Sequence, residues 1–245
     1  MKIGIISDIH SNLEALDACR EEALREGVEA YVCLGDMVNY GPDPGPTLDR
    51  IMALPGLIAV LGNHDEAMFR EPMWSSSGEV EQAAAWTRGQ LRPEHFEFLK
   101  NLHYVQHAHG AAFAHATFDY PDNWEYVVDR KQAKRAFSAV SARLMFFGHV
   151  HWPQVFVQTT SGDIEIIDPL AGESYPLDDG CRYLVNVGSV GQPRDGINAA
   201  CFVVYDEEAR TISFRRAPYD HAATAGKILA AGLHPFFAER LARGH

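Results

Sequence analysis

The sequence predicts an α/β protein in which a parallel sheet is followed by a set of antiparallel strands. Over the first 65 residues, apolar runs alternate with helical stretches as strand–helix–strand–helix–strand, an order that implies parallel strands with right-handed crossovers. Residues 154–216 carry short alternating strands, which predict an antiparallel second sheet. No repeat, low-complexity tract or linker interrupts the 245 residues, so we predict a single domain spanning residues 1–245.

The first elements are defined by apolar runs and capping signals. Residues 2–7 form a β-branched run typical of a buried strand. Ser11 and Glu14 have the spacing of a capping box, so we expect a helix that starts there and extends to about Glu26 before a glycine. Residues 30–34 predict the second strand.

The next stretch alternates rigid turns with short elements. Residues 41–46 (GPDPGP) predict a turn, residues 47–53 a helix and residues 57–61 the third strand. From 66 to 102 the pattern is mostly helical with a polar break at 74–78, as expected for an outer layer or lid. Further elements are a hairpin of strands 104–107 and 111–115 with its turn at 109–110, a helix over 129–140, a strand over 144–147, and helices over 220–231 and 234–243.

Composition narrows the class of protein. Hydrophobic residues make up 47% and charged residues 22% of the chain, typical of globular proteins. The net charge of −12 argues against long nucleic acids and anionic membranes as partners, because their nonspecific binders are basic. With no transmembrane-length apolar run and no leader, a cytoplasmic location is expected. The cysteines lack C-x-x-C spacing and are expected to be buried free thiols. They are Cys19, Cys33, Cys181 and Cys201.

Side chains of the metal-ligand type follow the apolar strands. Asp8 and His10 are two residues apart, so we expect them to project together from the carboxyl end of the first strand. The complete candidate set is Asp8, His10, Asp36, Asn63, His115, His149 and His151. Seven ligands suit two ions that share a carboxylate, with Asp36 as the natural bridge. Carboxylate, amide and imidazole ligands without thiolates suit Mn, Fe, Zn, Co or Ni.

The order of these motifs resembles the calcineurin-like metallophosphoesterases. The motifs are D-x-H (8–10), G-D (35–36), G-N-H-D (62–65), a strand-terminal His115 and G-H-x-H (148–151). The resemblance implies a four-layer α/β/β/α sandwich with two central mixed sheets and a dinuclear metal site at the strand ends. It also implies a hydrolase that attacks a phosphate ester with a metal-activated hydroxide.

The resemblance also assigns roles to individual residues. It places Asp8, His10 and His151 on the first metal, Asn63, His115 and His149 on the second, and Asp36 between them. His64 takes the position of the histidine that aids leaving-group departure, by donating a proton or by stabilising charge. Asp65 is expected either to hold the His64 ring or to cap a helix. Manganese is the expected metal, with iron, zinc, nickel or cobalt as alternatives.

Two further segments resemble a small bacterial branch of this family. Residues 186–196 resemble its N-x-G-S-V-G-Q-P-R-D loop, and residues 119–126 resemble its R-D-P-x-W-E-Y segment. Members of that branch are described as phosphodiesterases or phosphatases. Ala116 and Thr117 stand where the family more often has Gly-Ser. No pair of arginines is evident near G-N-H-D, which disfavours a protein Ser/Thr phosphatase.

Substrate contacts are less strongly indicated. Arg194 is expected to bind phosphate or to pair with Asp195 or another carboxylate. Asn12 is expected to orient a site residue or to start a helix, and Asn186 to support the site rather than ligate. Five aromatic residues are candidates for a nucleobase or aryl pocket, with core packing as the alternative for each. They are Tyr40, Phe118, Tyr120, Trp124 and Trp152.

The remaining histidines are not expected to be ligands. His107 and His109 mimic a ligand pair, but they precede a hairpin turn and are expected to be solvated. Four others have no partners in sequence and are expected at the surface. They are His95, His221, His234 and His245.

The sequence therefore favours a dinuclear-metal phosphoesterase acting on a small phosphodiester or phosphomonoester, with nucleotides among the candidate substrates. A nucleotide pyrophosphohydrolase of the diadenosine tetraphosphatase kind and a protein phosphatase are the enzymatic alternatives. A non-enzymatic scaffold of the same fold is a further alternative, and a nuclease is disfavoured by the acidic balance. Whether the protein is a homo-oligomer stays open.

Overall fold

The computed structural model describes residues 1–71 and 77–245. In its first half the elements are β1 (Lys2–Ile6), α1 (Leu13–Arg25), β2 (Ala30–Cys33), α2 (Pro44–Met52), β3 (Ile58–Ala59), α3 (Asn63–Glu66), α4 (Gly78–Gln90), α5 (Pro93–Lys100), β4 (Val105–Ala108) and β5 (Ala111–Ala114). In its second half they are α6 (Arg130–Ala139), β6 (Leu144–Phe147), β7 (Gln154–Gln158), β8 (Ile164–Ile167), β9 (Ser174–Pro176), β10 (Arg182–Asn186), β11 (Ala200–Asp206), β12 (Thr211–Ala217), α7 (His221–Ala230) and α8 (Pro235–Arg243).

The strands form two mixed sheets of six strands each. The first sheet has the order β3-β2-β1-β11-β12-β9, and the second has the order β4-β5-β6-β10-β7-β8. β1, β2 and β3 are parallel, as the strand–helix alternation predicts, and β11 joins them antiparallel to β1. In the second sheet β5, β6 and β10 are parallel, while β4, β7 and β8 run antiparallel to their neighbours.

The expectation that residues 154–216 form a separate antiparallel sheet is wrong. β7, β8 and β10 join the second sheet, whereas β9, β11 and β12 extend the first. The alternating pattern identifies β7, β8, β10, β11 and β12, but it gave no indication of β9, a three-residue strand with two exposed residues. That pattern does not encode which neighbour a strand pairs with, so two consecutive strands can belong to different sheets.

The buried side chains define four layers. Ile5 of β1 and Phe146 of β6 belong to a cluster between the two sheets. Leu16 of α1 packs on the outer face of the first sheet, and Phe137 of α6 packs on the outer face of the second. Successive residues of β1 and β6 alternate between these clusters, so both faces of each sheet are covered. This arrangement confirms the predicted α/β/β/α sandwich.

Several element boundaries differ from the predictions. Asn12, not Ser11, caps α1 by accepting a hydrogen bond from the backbone N–H of Ala15 at 3.1 Å. Helix α2 begins at Pro44, earlier than the predicted start at residue 47. Proline is tolerated at the first position of a helix because the backbone N–H that it lacks would have no partner within the helix. The third strand is only two residues long, and the hairpin of β4 and β5 is confirmed.

The region predicted as mostly helical, 66–102, contains α4, α5 and the last residue of α3. Of the predicted polar break at 74–78, residues 74–76 lie outside the described residues, and residue 78 already belongs to α4. In the described ranges, 1–71 and 77–245, no helix is long and apolar enough to cross a membrane. All four cysteines are free thiols, and all but the partly exposed Cys181 are buried.

Candidate metal centre

Six of the candidate ligands lie in the loops that follow the strands, and Asn63 is the first residue of α3, at the edge where both sheets expose their carboxyl ends. β1 ends at Ile6, so Asp8 and His10 project from a loop and not, as expected, from the strand. Five of the seven candidates adopt a left-handed backbone with positive φ, which is uncommon for residues other than glycine. They are Asp8 (54°), His10 (47°), Asp36 (51°), His149 (65°) and His151 (62°). Such concentrated backbone strain is typical of functional sites.

Backbone hydrogen bonds between loops hold these conformations. The N–H groups of Asp8 and His10 donate to the carbonyls of Gly35 and Asp36, each at 3.0 Å. On the other side, the N–H of Gly191 donates to the carbonyl of Asp8 at 2.9 Å. A Cβ at Gly191 would lie 1.7 Å from the carbonyl oxygen of Ile9, so only glycine permits this approach.

Asp8, His10 and His151 form the first cluster. The Nε2 atoms of His10 and His151 are 3.2 Å apart, and His151 Nε2 is 3.2 Å from Asp8 Oδ1. All three residues are buried, with at most 2% of their surface exposed. The structure therefore assembles the three residues that the sequence assigns to the first metal.

Asp36, Asn63, His115 and His149 form the second cluster. His115 Nε2 lies 3.2 Å from Asp36 Oδ2, 3.2 Å from Asn63 Oδ1 and 3.1 Å from His149 Nδ1. Asp36 Oδ2 also lies 3.8 Å from Nε2 of His10, which belongs to the first cluster. Asp36 is thus placed between the two clusters, as the sequence predicts for a shared carboxylate.

Backbone carbonyls fix the orientation of all four imidazole rings. His10 Nδ1 donates to the carbonyl of Val38, and His115 Nδ1 to that of Leu34. His151 Nδ1 donates to the carbonyl of Gln192, and His149 Nε2 to that of Trp124. Because a carbonyl only accepts, each ring directs its other nitrogen into the cluster, as metal-ligating histidines do.

The donor set fits divalent metal ions. Burial lowers the pKa of His10, of His151 and, to about 3, of His149. The neutral rings of His10 and His151 therefore point lone pairs at each other, an arrangement that a cation between them would stabilise. Asp8 Oδ1 is buried and accepts no hydrogen bond from the part of the chain that the structure describes. Ligands about 2.0–2.2 Å from one ion are about 3.0–3.6 Å apart, close to the separations within each cluster.

Two further pKa shifts agree with cation binding at this site. Burial opposes ionisation of Asp8, but the nearby imidazole of His151 keeps its pKa below the ordinary value. Burial also opposes protonation of His115, yet the Asp36 carboxylate raises the pKa of His115 to about 9. The site thus favours positive charge beside Asp36, and a metal ion would displace that proton.

His64 lies beside the second cluster, and Asp65 does not contact its ring. His64 Nε2 is 4.0 Å from Asp36 Oδ2, and burial lowers the His64 pKa to about 4. Asp65 instead accepts hydrogen bonds from the backbone N–H groups of Met37 and Gly62. The helix-capping alternative for Asp65 is therefore confirmed, and the ring-holding role is wrong. Asn39 and Tyr40 contact the His64 ring instead.

A cavity of about 340 Å³ opens over the second cluster and reaches Arg194. Arg194 donates to Gln192 Oε1 at 3.0 Å, and its buried Nε has no hydrogen-bond partner within residues 1–71 and 77–245. Asp195, its expected alternative partner, forms an ion pair with Arg216. Among the described residues no carboxylate pairs with Arg194, so its guanidinium brings a positive charge to the cavity over the clusters.

Of the other predicted contacts, Asn12 has a structural role. Its Nδ2 donates to the carbonyl of Gly191 at 2.9 Å while its Oδ1 caps α1, so the helix-start alternative is confirmed and no atom faces the cavity. Asn186 supports the site as expected, because its Nδ2 donates to the carbonyl of Gly148 at 2.8 Å.

The aromatic candidates divide into three groups. Tyr40 and Trp124 line the cavity, and Phe118 packs in the core. Tyr120 and Trp152 are exposed at 70% and 47%, so core packing is wrong for both and neither lines the cavity.

Among the remaining histidines, His107 is exposed as predicted. His95 is fully buried, which contradicts the expected surface position. Its Nε2 lies 3.0 Å from Asp49 Oδ1, and its Nδ1 accepts the backbone N–H of Arg92 at the start of α5. His95 therefore joins α5 to α2.

Sequence reasoning missed Asn39 and Tyr126. Tyr126 lines the cavity and stacks on His149 with ring centroids 4.4 Å apart. Because Tyr126 belongs to the 119–126 segment that resembles the family branch, the sequence could have indicated that it lies at the site. Asn39 follows Asp36 by three residues, but nothing in that spacing indicates a contact with a ring 25 positions later.

The chain belongs to the calcineurin-like phosphoesterase superfamily. The model of that domain matches residues 1–210, which contain all seven candidate ligands and His64. The resemblance inferred from the ordered motifs is thereby confirmed.

Three proteins resemble this chain over nearly all of its residues. An uncharacterized protein of Methanocaldococcus jannaschii is 35% identical, over 99% of this chain and 98% of its own length. A metallophosphoesterase from Sphaerobacter thermophilus has 35% sequence identity to this chain. Its crystal structure matches with a TM-score of 0.90 over 100% of this chain and 99% of that one. A hypothetical protein from Pyrococcus horikoshii OT3 shares the fold, with a TM-score of 0.81 at 18% identity over 100% and 98% of the two chains.

Proposed function

We propose that the protein is a dinuclear-metal-dependent phosphoesterase that hydrolyses a small phosphodiester or phosphomonoester. The observation that carries this proposal is the pair of buried clusters that share Asp36, each with imidazole nitrogens facing one another at 3.1–3.2 Å. Membership of the superfamily and the likeness to the Sphaerobacter metallophosphoesterase support it. Manganese is the first metal to test.

In this proposal, Asp8, His10 and His151 hold one ion, and Asn63, His115 and His149 hold the other. Two such ions lower the pKa of a water molecule and offset charge on phosphate oxygens. The carbonyl contacts behind the rings keep the ligands oriented, so little reorganisation accompanies binding. Asp36, which lies between the clusters, would contribute its carboxylate to both ion sites.

Arg194 is proposed to bind the phosphate group of the substrate. It lines the same cavity as Asp36 and His149, and its Nε has no hydrogen-bond partner among the residues that the structure describes. A guanidinium binds phosphate through parallel N–H groups, which orients the ester as well as attracting it. The hydrogen bond to Gln192 Oε1 leaves other N–H groups of Arg194 available for this contact.

A small substrate is favoured by the shape of the cavity. Its volume of about 340 Å³ is at the low end of the range for small-molecule sites. Tyr126 and Trp124 form part of its wall, which suits an aryl or nucleobase group on the ester. Long nucleic acids are not proposed as substrates, because the net charge of −12 would repel them.

The proposal is tested by assaying bis-p-nitrophenyl phosphate and p-nitrophenyl phosphate with added Mn²⁺ and after chelation. We expect metal-dependent hydrolysis that chelation abolishes. Hydrolysis of the diester would assign a phosphodiesterase, and hydrolysis of the monoester alone would assign a phosphatase. Bound metal without hydrolysis of either ester would contradict the proposal and favour a scaffold.

Variants locate the activity in this site. Arg194→Gln should reduce kcat/KM about 10- to 100-fold, by losing a charge-assisted contact. Its matched control is Arg25→Gln, which removes an exposed arginine on α1. His64→Gln should reduce kcat, with the exposed His107→Gln as its control. Equal activity in each variant and its control would place the reaction elsewhere.

A further inference from the structure

Asn39 and Tyr40 are two consecutive residues that both contact the His64 ring. Asn39 Nδ2 lies 2.9 Å from His64 Nδ1, and Tyr40 Oη lies 2.9 Å from His64 Nε2. Both residues adopt a left-handed backbone, with φ of 74° and 65°. All three side chains are buried or nearly so. Two successive strained residues that converge on one ring indicate a functional constraint.

The orientation of the Asn39 amide is determined by the backbone. The N–H of Tyr40 donates to Asn39 Oδ1 at 2.9 Å, so the oxygen of the amide must face that N–H. The NH₂ group of Asn39 therefore faces His64. Because this group only donates, His64 Nδ1 must accept the hydrogen bond and cannot carry a proton.

The proton of the His64 ring is consequently on Nε2. Tyr40 Oη accepts it in this structure, and the same Nε2 lies 4.0 Å from Oδ2 of the shared carboxylate Asp36. The proton-bearing side of the ring thus faces the cavity that His64, Tyr40 and Asp36 line together.

We propose that Asn39 is a positioning residue that holds His64 in the Nε2–H tautomer, so that His64 assists the leaving group as a hydrogen-bond donor that keeps its proton. This inference rests on the proposed phosphoesterase function and selects one of two roles open to His64. Loss of the Nε2 proton from this tautomer would leave an imidazolate anion. A second proton, on Nδ1, would point at the side-chain N–H of Asn39, so two donors would face each other.

The bonding changes follow from this tautomer. When the P–O bond to the leaving group breaks, its electron pair passes to the departing oxygen. The Nε2–H of His64 donates a hydrogen bond to that oxygen and stabilises its charge, and the oxygen later takes its proton from water. His64 returns to Tyr40 Oη with its own proton unchanged. A neutral imidazole used as a hydrogen-bond donor has precedent in enzyme catalysis.

The first test observes the tautomer directly. Long-range ¹H–¹⁵N spectra of the histidine-labelled full chain, loaded with diamagnetic zinc, report which nitrogen of each ring is protonated, and His64→Gln identifies the His64 signals. We expect an unprotonated Nδ1 and a protonated Nε2. In Asn39→Asp, whose carboxylate only accepts, we expect Nδ1 to become protonated. A protonated Nδ1 in the unchanged protein would overturn the inference.

The second test uses leaving groups of different basicity. Asn39→Gly keeps the left-handed backbone without the side chain, and should reduce kcat about 10- to 100-fold for an alkyl phosphate ester, the range for loss of one positioned donor. The effect on the p-nitrophenyl ester should be less than about threefold, because its leaving group needs little stabilisation. Asn101→Ala is the matched control, since Asn101 also donates through Nδ2 but to a carbonyl of α5.

These outcomes separate the two proposals. An unchanged His64 tautomer in both Asn39 variants, or equal losses on both esters, would overturn the role of Asn39 while metal-dependent hydrolysis stands. The expected tautomers without hydrolysis of any ester would refute the phosphoesterase proposal and with it the leaving-group role. Metal stoichiometry of each variant, measured in parallel, reports whether the clusters are intact.

Discussion

The carboxylate of Asp8 accepts a hydrogen bond from the backbone N–H of His149, with Oδ2 and N 2.9 Å apart. A residue of the first cluster thus holds the loop that carries a residue of the second. The two residues follow β1 and β6, which belong to different sheets. This contact couples the geometry of the clusters and links the carboxyl-end edges of the two sheets.

Replacing Asp8 by asparagine separates its two roles. Asp8→Asn keeps an oxygen that accepts the His149 N–H but removes the negative charge beside His10 and His151. We expect metal content to fall from about two equivalents to about one, with the fold retained, because a neutral amide is a weaker ligand than a carboxylate. Metal analysis after gel filtration measures this, with the exposed Asp163→Asn as control. Two tightly bound equivalents in Asp8→Asn would contradict the assignment.

Gly148 is expected to tolerate no side chain. A Cβ there would lie 2.0 Å from Ser7 Oγ and 2.5 Å from Asp8 Oδ2. Gly148→Ala should therefore displace Asp8, weaken metal binding and lower the free energy of unfolding by about 1–3 kcal/mol. Gly226→Ala in α7 is the control, because its Cβ would meet nothing within 4 Å, and it should be neutral or stabilising by up to about 1 kcal/mol. Urea denaturation compares the two, and equal midpoints would show that the loop can adjust.

Metal binding should raise thermal stability. An ion that binds only the folded chain, at about 100 times its dissociation constant, adds about 2.7 kcal/mol to the free energy of unfolding. For a chain of this size that corresponds to a Tm increase of about 5–11 °C. Differential scanning fluorimetry with Mn²⁺ and after chelation measures the shift. An unchanged Tm across a Mn²⁺ titration would argue against the clusters as metal sites.

Asn12 should contribute to stability rather than to catalysis. Asn12→Ala removes the cap of α1 and the hydrogen bond to Gly191, which should cost about 1–3 kcal/mol. Asn12→Asp restores the capping oxygen and should recover part of that loss. We expect the metal content of both variants to match that of the unchanged protein. A loss of metal with full stability would reverse this assignment.

The candidate ligands could be predicted from sequence because each stands just beyond an apolar strand. Strand ends are visible in the residue pattern, and the carboxyl ends of parallel strands lie along one edge of a sheet. Asp36 illustrates this, since its position after β2 and its two oxygens were enough to predict a shared carboxylate. The two mixed sheets followed from the family resemblance, not from the pattern of residues 154–216.

The parts that could not be predicted depend on backbone groups and on long-range contacts. The carbonyls of Trp124 and Gln192, which orient His149 and His151, leave no signal in side-chain type. The direction of Asp8 depends on its left-handed φ, which strand periodicity does not describe. The burial of His95 depends on Asp49, a partner 46 residues away.

The pairing of β1 with β11 has a consequence for folding. Lys2 lies opposite Asp206, so β1 is completed on one side by β11, a strand that is synthesised much later. Contacts at such separation form slowly, because the entropy of closing a long loop is lost before they stabilise anything. On the ribosome, β1 therefore emerges long before its neighbour and exposes an apolar edge in the meantime. We expect nascent chains that end before residue 200 to depend on chaperones. Limited proteolysis of stalled ribosome complexes measures this, and we expect β1 to resist the protease only after β11 has emerged.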